Sequence, residues 1–285
     1  MRNALISISI AALMAGCSQS KTDTTSAENT VTLETTAGFD LNRQYNKFAK
    51  IKMSPDTRFL TKSERRVVNK LIEASGYMSE IFLRQRGANF PELREQIVIN
   101  GSKQQLAMFD LHFGPCDGLE GDQDFIVGMA CTEGGGFYPT DMTKSEFDAH
   151  IAANPADKDA FTSGYTVIRR TDDGGLKAVP YATEYKQFLE PAAELLREAA
   201  EITENENLRT FLNLRADSFL SDDYFESEMA WMDLDGPIEI AIGPYEVYDD
   251  KLFGYKTAYE SFVTVKDPTA SADLNKYKGL LKDME

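Results

Sequence analysis

Residues 61–86, TKSERRVVNKLIEASGYMSEIFLRQR, determine the class of fold that this sequence can adopt. Thr61 and Glu64 have the spacing of a capping box, in which each side chain accepts a hydrogen bond from the backbone amide of the other residue. Apolar side chains then recur three and four residues apart, as on one face of a helix: Val67, Val68, Leu71, Ile72, Met78 and Phe82. The sequence therefore predicts a long helix that continues to Arg86 and ends at Gly87.

Further helices and strands are predicted after this helix. A second capping box, Thr143 to Glu146, begins a shorter helix that Asn154-Pro155 ends, and a β-hairpin is predicted around the turn at residues 172–175. The remaining predicted elements are three helices, at residues 189–200 (with Pro191 starting or kinking it), 208–219 and 224–232, and two strands, at 238–242 and 259–265. The predicted fold class is α+β, mostly helical with a small antiparallel sheet or partial barrel.

The chain is strongly acidic, with 46 Asp and Glu residues against 30 Lys and Arg residues and a net charge of -16. Nucleic acids and anionic membrane surfaces are bound by clusters of Lys and Arg, so neither is expected as a partner. The proportions of hydrophobic residues (42%) and charged residues (27%) are those of a globular protein. Any attachment to a membrane is therefore expected to come from an anchor.

The first residues have the pattern of such an anchor. Arg2 precedes an apolar run, residues 4–15, that is too short to span a bilayer. The run ends in Leu13-Met14-Ala15-Gly16-Cys17, which resembles the lipobox of bacterial lipoproteins. This resemblance implies a signal peptide at residues 1–16, lipidation of Cys17 and, from Ser18, a location on the periplasmic face of the outer membrane. The alternative is the start of an ordinary core helix.

The next residues separate this anchor from the folded part. Residues 17–38 are rich in Ser, Thr and Glu and have almost no large apolar side chains, so they cannot bury enough surface to fold. We predict a flexible tether at residues 17–38 and a folded part at residues 39–285.

Two cysteines remain in the folded part, Cys116 and Cys131. Export to an oxidising compartment permits a disulfide between them. The alternative is two buried free thiols, because the sequence does not fix their separation.

A search for catalytic motifs finds few candidates. The two histidines, His112 and His150, have no zinc-ligand spacing, and the sequence has neither a Gly-x-Ser-x-Gly elbow nor a phosphate-binding glycine loop. Four acidic residues, Asp117, Glu120, Asp122 and Asp124, do not fit the spacing of a calcium loop and are interpreted as a solvated loop. His112 is interpreted as a packed core or strand histidine. No metal ligand is predicted in this chain.

The segment at residues 242–250, IGPYEVYDD, is the strongest candidate for a binding site. Side chains alternate along a strand, so Glu246 and Tyr248 are expected on one face. Gly243 permits another backbone to approach closely, and Pro244 indicates an edge position. A carboxylate and a phenol on an exposed edge suit an extended peptide with a free α-ammonium group. The alternative is an ordinary edge strand with an exposed Glu and Tyr.

Several uncommon strings in the chain resemble bacterial members of the dipeptidyl peptidase III family, and together they extend from about residue 60 to residue 268. They are WMD at 231–233, IGPYEVY at 242–248, LFGYK at 252–256, ESF at 260–262, GFYPTDMTK at 136–144 and YTVIRR at 165–170.

The resemblance implies a part of a two-lobed zinc peptidase that releases dipeptides from peptide N-termini. In that family, zinc lies between the lobes and is held by a His-Glu-x-x-x-His helix and a downstream glutamate of the C-terminal half, which this sequence does not contain. The family's Glu-x-Tyr matches Glu246 and Tyr248, which implies that Glu246, Tyr248 and Gly243 bind substrate and that Tyr248 assists catalysis. The expected cofactor is none in this chain and zinc in the complete family member, and the expected partners are a peptide and the missing C-terminal half. The alternative function is that of a non-catalytic peptide-binding lipoprotein.

Overall fold

The computed structural model of the protein describes residues 33–277 and residue 280. The predicted signal peptide, the predicted lipidation site Cys17 and the predicted tether as far as residue 32 lie outside these described residues. Among the helices of the described residues, none is long and apolar enough to cross a membrane.

The folded body begins earlier than residue 39. Thr35 forms an isolated antiparallel bridge with Ile126, and the amide of Thr36 donates to the carbonyl of Phe125 over 3.1 Å. The amide of Val127 donates in turn to the carbonyl of Glu34 over 3.0 Å. Residues 33–38 of the predicted tether therefore lie against the body. Composition did not reveal this, because most of the contact is made by backbone groups and polar side chains, with Leu33 as the apolar side chain that packs against the smaller cluster.

Four helices form the main layer of the fold. The long predicted helix forms as α2, Lys62–Arg86, and Thr61 and Glu64 complete its capping box. The helix α8, Lys186–Ile202, packs against α2, and α9, Glu206–Ser221, packs against α8. The short helix α10, Phe225–Met232, then packs against α9.

The strands form three antiparallel pairs: β1, Cys116–Asp117, with β2, Gln123–Asp124; β3, Thr166–Arg170, with β4, Leu176–Pro180; and β5, Ile238–Glu246, with β6, Ala258–Val265. The last two pairs and the α+β class confirm the sequence prediction. Within the described residues each sheet has two strands, so the expected small sheet is three separate hairpins rather than a partial barrel. Both β5 and β6 pack against α2, and Ile238, Ile240 and Ile242 are buried there.

The remaining helices are α1, Leu41–Tyr45; α3, Phe90–Asn100; α4, Lys103–His112; α5, Lys144–Ala153; α6, Lys158–Thr162, after a 3-10 turn at Pro155–Asp157; α7, Tyr181–Glu184; and α11, Pro268–Asn275. Of these, α5 was predicted from its cap at Thr143. The helix α4 was not predicted, although Ser102 and Gln105 form a complete capping box at its start. Pro191 lies inside α8, which begins before it, at Lys186.

His112 is the last residue of α4 and is therefore a helix residue rather than a strand residue. Its ring is packed, as expected, with Phe48 and Phe125 at centroid distances of 5.5 and 6.5 Å. Burial lowers the pKa of His112, which favours the neutral imidazole.

The described residues contain two hydrophobic clusters. The larger one joins α2, α8, α9 and β5 and includes Leu71, Leu196 and Phe211. The smaller one lies around α3 and α4 and includes Phe109 and Phe125. The candidate segment leaves the larger cluster at the end of β5.

Candidate functional site

Glu246 is the last residue of β5 and is exposed. It pairs with Ala258 of β6, whereas Pro244 pairs with Tyr259, so Tyr245 is the extra residue of a β-bulge. A bulge bends a strand and changes the direction of the side chains that follow it. Among the described residues, the Glu246 carboxylate has neither an ion-pair nor a hydrogen-bond partner, so it is free to bind a cation.

Tyr248 lies just beyond the strand, in a turn where the amide of Asp250 donates to the carbonyl of Val247 over 3.2 Å. Its side chain is 78% exposed. The alternation rule that predicted a shared face for Glu246 and Tyr248 ends with β5 at Glu246, so their relation is set by the bulge and the turn. The structure still brings both side chains to the surface at one end of the hairpin.

Position 243 needs a glycine because a side chain, and not a second backbone as expected, approaches it closely. Its φ is +150°, and a Cβ at this position would lie 2.5 Å from Nη1 of Arg215. Arg215 is fully buried in α9; its Nη1 donates to the carbonyl of Ile242 over 3.0 Å and its Nη2 pairs with Glu228 at 2.6 Å. The role of Arg215 was not predicted, because the sequence shows a charged residue on the apolar face of a helix but does not show which group it binds.

The outer edge of β5 is partly covered. The carbonyl of Ile242 accepts from Arg215, and the carbonyl of Ile240 accepts from Nε1 of Trp231 in α10 over 3.1 Å. The expectation that this edge is open for pairing with a peptide backbone is therefore wrong at these two carbonyls, because side chains from α9 and α10 already use them. Exposed peptide-binding groups remain at the end of the strand, at Glu246 and Tyr248.

The surroundings of Glu246 are acidic. Burial raises the pKa of Glu260, and the neighbouring charges of Glu246 and Asp249 raise it further. Asp249 is itself paired with Arg86 at 2.6 Å, and Lys251 pairs with Asp122. The local cations are thus committed to other carboxylates, and the excess of negative charge around Glu246 and Glu260 favours a cationic ligand group.

A cavity of about 330 Å³ is lined by Arg86, Asp249, Lys251 and Cys131, among others. Cys131 forms a disulfide with Cys116, and their Cα atoms are 6.2 Å apart. Of the two alternatives that the sequence left open for these cysteines, the structure has the disulfide. The bridge closes the segment that carries Asp122, and Asp122 in turn pairs with Lys251.

The acidic residues between the two cysteines do not form one solvated loop. Asp117 is fully buried and accepts from the amide of Leu119 over 2.9 Å, whereas Glu120 and Asp122 pair with Lys47 and Lys251. The interpretation of a solvated loop is therefore wrong for Asp117. No group of three or more metal-ligating side chains is found among the described residues.

The chain is similar to known peptidases in sequence and in structure. Residues 140–281 match the model of peptidase family M49. The solved structure of dipeptidyl peptidase III from Caldithrix abyssi is 45% identical, with a TM-score of 0.81, and the match covers 86% of this chain and 47% of that one. The structure of dipeptidyl-peptidase III from Corallococcus sp. strain EGB is 38% identical, with a TM-score of 0.80 and the same coverage of 86% and 47%.

A curated relative, Nudix hydrolase 3 from Arabidopsis thaliana, is 27% identical over 299 residues, and the match covers 86% of this chain and 39% of that protein. The chain thus spans less than half the length of the relatives that it matches.

Proposed function

We propose that this chain, which is similar to dipeptidyl peptidase III, supplies the substrate-binding half of an exopeptidase that releases dipeptides from peptide N-termini. The observation that supports this most directly is the exposed Glu246 carboxylate, which has no partner among the described residues and lies in acidic surroundings. A carboxylate of this kind suits the α-ammonium group of a peptide, because a charge-assisted hydrogen bond is about twice as strong as a neutral one.

Tyr248 has a separate role in this proposal. Its phenol is exposed two residues beyond Glu246, where it is available to donate to the carbonyl oxygen of the bond that is cleaved. A donor at that position stabilises the charge that develops on the oxygen in the transition state. We therefore expect Tyr248 to affect turnover more than binding.

Zinc would be the catalytic metal of the complete peptidase, where it activates a water molecule. The described residues do not fit a zinc site, since they contain no cluster of three metal-ligating side chains. We therefore assign no zinc ligand to this part of the chain. The ligands would belong to the C-terminal half of the fold, which is the proposed partner of this half.

The binding test uses short peptides that differ only at the N-terminus. Glu246→Gln should weaken binding of a free-amine peptide by roughly ten- to a hundredfold and change binding of its N-acetylated form little, because only the former carries the ammonium charge. Tyr248→Phe is the matched control and should bind both peptides as the wild type does. Isothermal titration calorimetry measures both affinities, and an equal effect of Glu246→Gln on the two peptides would refute the proposed role.

The second candidate function is that of a non-catalytic peptide-binding lipoprotein. It is favoured by the finding that Glu246 and Tyr248 are presented by described residues that contain no metal cluster. Adding a separately expressed C-terminal half of a dipeptidyl peptidase III separates the two candidates. Zinc-dependent release of dipeptides after mixing supports the peptidase half, and peptide binding without any turnover supports the binding protein.

We also propose a lipid anchor at Cys17 and a location on the periplasmic face of the outer membrane. The support is the sequence Leu13–Cys17 together with the Ser/Thr-rich residues after it. Cys17→Ala should move the protein from the membrane fraction to the soluble fraction, or leave an uncleaved precursor of higher mass. An unchanged membrane fraction and an unchanged mass would contradict the anchor.

A further inference from the structure

The loop of residues 247–257 joins β5 to β6 and carries Tyr248 near its beginning. It ends at Ala258, the residue that pairs with Glu246. Hairpin loops usually have two to five residues, so the shape of this longer loop has to be fixed by additional contacts. Two buried charged side chains of the loop, Asp250 and Lys256, make most of these contacts.

The carboxylate of Asp250 is surrounded by donors of its own loop. Its Oδ1 accepts from the amides of Leu252 and Phe253, over 3.2 and 3.0 Å. Its Oδ2 accepts from the amides of Tyr255 and Lys256, over 2.9 and 3.0 Å. Asp250 is only 3% exposed, so its carboxylate is shielded from water and depends on these donors.

A fifth donor to Asp250 comes from outside the loop. The phenol of Tyr138 donates to Oδ2 over 2.7 Å, and burial raises the pKa of Tyr138, which keeps the phenol protonated as a donor. A carboxylate has about four lone-pair positions, so the hydrogen-bonding capacity of Asp250 is filled.

Lys256 fixes the other end of the loop. Its ammonium group is fully buried, and Nζ donates to the carbonyls of Phe161 and Ser163 over 2.7 and 2.8 Å. The third donated bond goes to Oγ1 of Thr166, over 2.8 Å. All three hydrogens of the ammonium group are therefore used. These acceptors lie at the end of α6, in the connection after it and at the start of β3, so Lys256 ties the loop to a different part of the fold.

We propose that Asp250 and Lys256 are positioning residues that hold the loop, and through the pairing of Ala258 with Glu246 also the Glu246 carboxylate, so that Glu246 and Tyr248 stand at fixed places. Neither residue is exposed enough to touch a ligand, and Asp250 is only two residues from Tyr248. Displacing a binding group by about 1 Å is enough to lose much of its effect, so a fixed loop matters for the site. This inference rests on the proposed function.

The chemistry of the two anchors supports a positioning role. Burying a carboxylate and an ammonium group costs free energy through lost hydration, and packed apolar side chains would provide stability without that cost. What charged hydrogen-bonding groups add is direction, because each bond fixes the orientation of one backbone amide or carbonyl. Asp250 orients four amides of the loop, and Lys256 binds the carbonyls of Phe161 and Ser163.

The test compares Asp250→Asn and Tyr138→Phe with a control in the core. Asp250→Asn keeps the shape of the side chain but replaces one acceptor atom by a donor, and Tyr138→Phe removes one donor. Leu208→Ala is the control. Leu208 is buried near the start of α9, where Asn205 bonds to Asp235, at the opposite end of β5 from Glu246. The probe is tetra-alanine with a C-terminal fluorophore, with a free or an acetylated N-terminus.

We expect Asp250→Asn to weaken binding of the free-amine probe at least tenfold and Tyr138→Phe to weaken it about two- to fivefold. Leu208→Ala should lower the melting temperature but leave the affinity unchanged. Hydrogen exchange of the variant Asp250→Asn should be faster in residues 247–257 and unchanged in residues 238–245.

Three results decide between the inference and its premise. If the wild type binds and Asp250→Asn binds equally well, or if Leu208→Ala loses as much affinity, the positioning role is refuted and the proposed function stands. If the wild type binds neither probe, the proposed function fails. Hydrogen exchange of the variant Asp250→Asn then tests the positioning role by itself. Faster exchange confined to residues 247–257 supports Asp250 as the anchor of the loop, and unchanged exchange there refutes this role.

Discussion

The two long hairpins of the protein, β3–β4 and β5–β6, differ in how their loops are held. In β3–β4 the loop is closed by its own residues: the amide of Thr171 donates to the carbonyl of Gly175, and the amide of Gly174 donates to the carbonyl of Thr171, each over 2.9 Å. Gly174 supplies the left-handed φ of +87° that the turn requires. This loop is exposed, and its shape is determined locally.

In β5–β6 the loop is held by partners that are distant in the sequence. Tyr138 contacts Asp250, Phe161 contacts Lys256, and Arg86 pairs with Asp249. This is also the loop that presents Tyr248. The comparison indicates that a loop with a candidate site is fixed by buried charged groups, whereas a loop that only reverses the chain is fixed by its turn residues.

The largest expected effect comes from removing the buried aspartate. Asp250→Ala leaves four amides and a phenol without an acceptor, and we expect the free energy of unfolding to fall by about 3–5 kcal/mol. Asp173→Ala, in the exposed loop of the other hairpin, should change it very little, because water replaces the lost acceptor. Urea denaturation followed by circular dichroism measures both. Similar losses in the free energy of unfolding for the two variants would contradict the proposed difference in how the two loops are held.

A smaller effect, with a defined pH dependence, is expected at Lys256. Burial lowers its pKa from the usual 10.5 to about 7, and the nearby charge of Asp250 opposes this shift. Between pH 7 and about 10 the unfolded chain holds this proton and the folded chain does not, so the free energy of unfolding should rise with pH, by up to about 1.4 kcal/mol per pH unit. Below pH 7 the group is protonated in both states, and the contribution no longer changes.

Lys256→Met removes this titration while it fills a similar volume. We therefore expect the free energy of unfolding of the wild type, relative to that of the variant, to increase as the pH rises from 7 to about 9.5. The charged and titratable groups that face Lys256 are Asp250 and Tyr138, and burial places the pKa of Tyr138 well above that window. Denaturation curves across the window measure the difference, and a difference that does not change with pH would contradict the lowered pKa of Lys256.

The smallest pair of effects concerns two glycines with positive φ. Gly243→Ala should lower the free energy of unfolding by about 2–3 kcal/mol, because the new Cβ meets the guanidinium of Arg215 and the backbone conformation is strained. Gly174→Ala has strain but open space around it and should cost about 1 kcal/mol. Equal costs in thermal denaturation would show that Arg215 moves away easily and does not fix the strand.

Much of the fold was predictable because its signals are local. The capping box at Thr61 and the apolar spacing after it gave α2 with both of its ends, and the Asp-Asp-Gly-Gly turn gave β3–β4. The capping box at Ser102 gives a similar signal for α4. The resemblance to dipeptidyl peptidase III, carried by strings such as residues 242–248, is consistent with the match to family M49 and with the two solved structures.

The candidate site was predictable only in part. The sequence by itself determined the long helices α2, α8 and α9, the strands of the two long hairpins and the presence of Glu246 and Tyr248 after a Gly-Pro, since each of these depends on residues that are close in the chain. Only the tertiary structure decided that Arg215 covers the edge of β5, that Cys116 joins Cys131, and that Asp250 and Lys256 fix the loop of Tyr248. Apart from the bonds of Asp250 to amides of its own loop, these contacts join groups that are 15 to 112 residues apart, and the geometry of such contacts is set by the packing of the whole body.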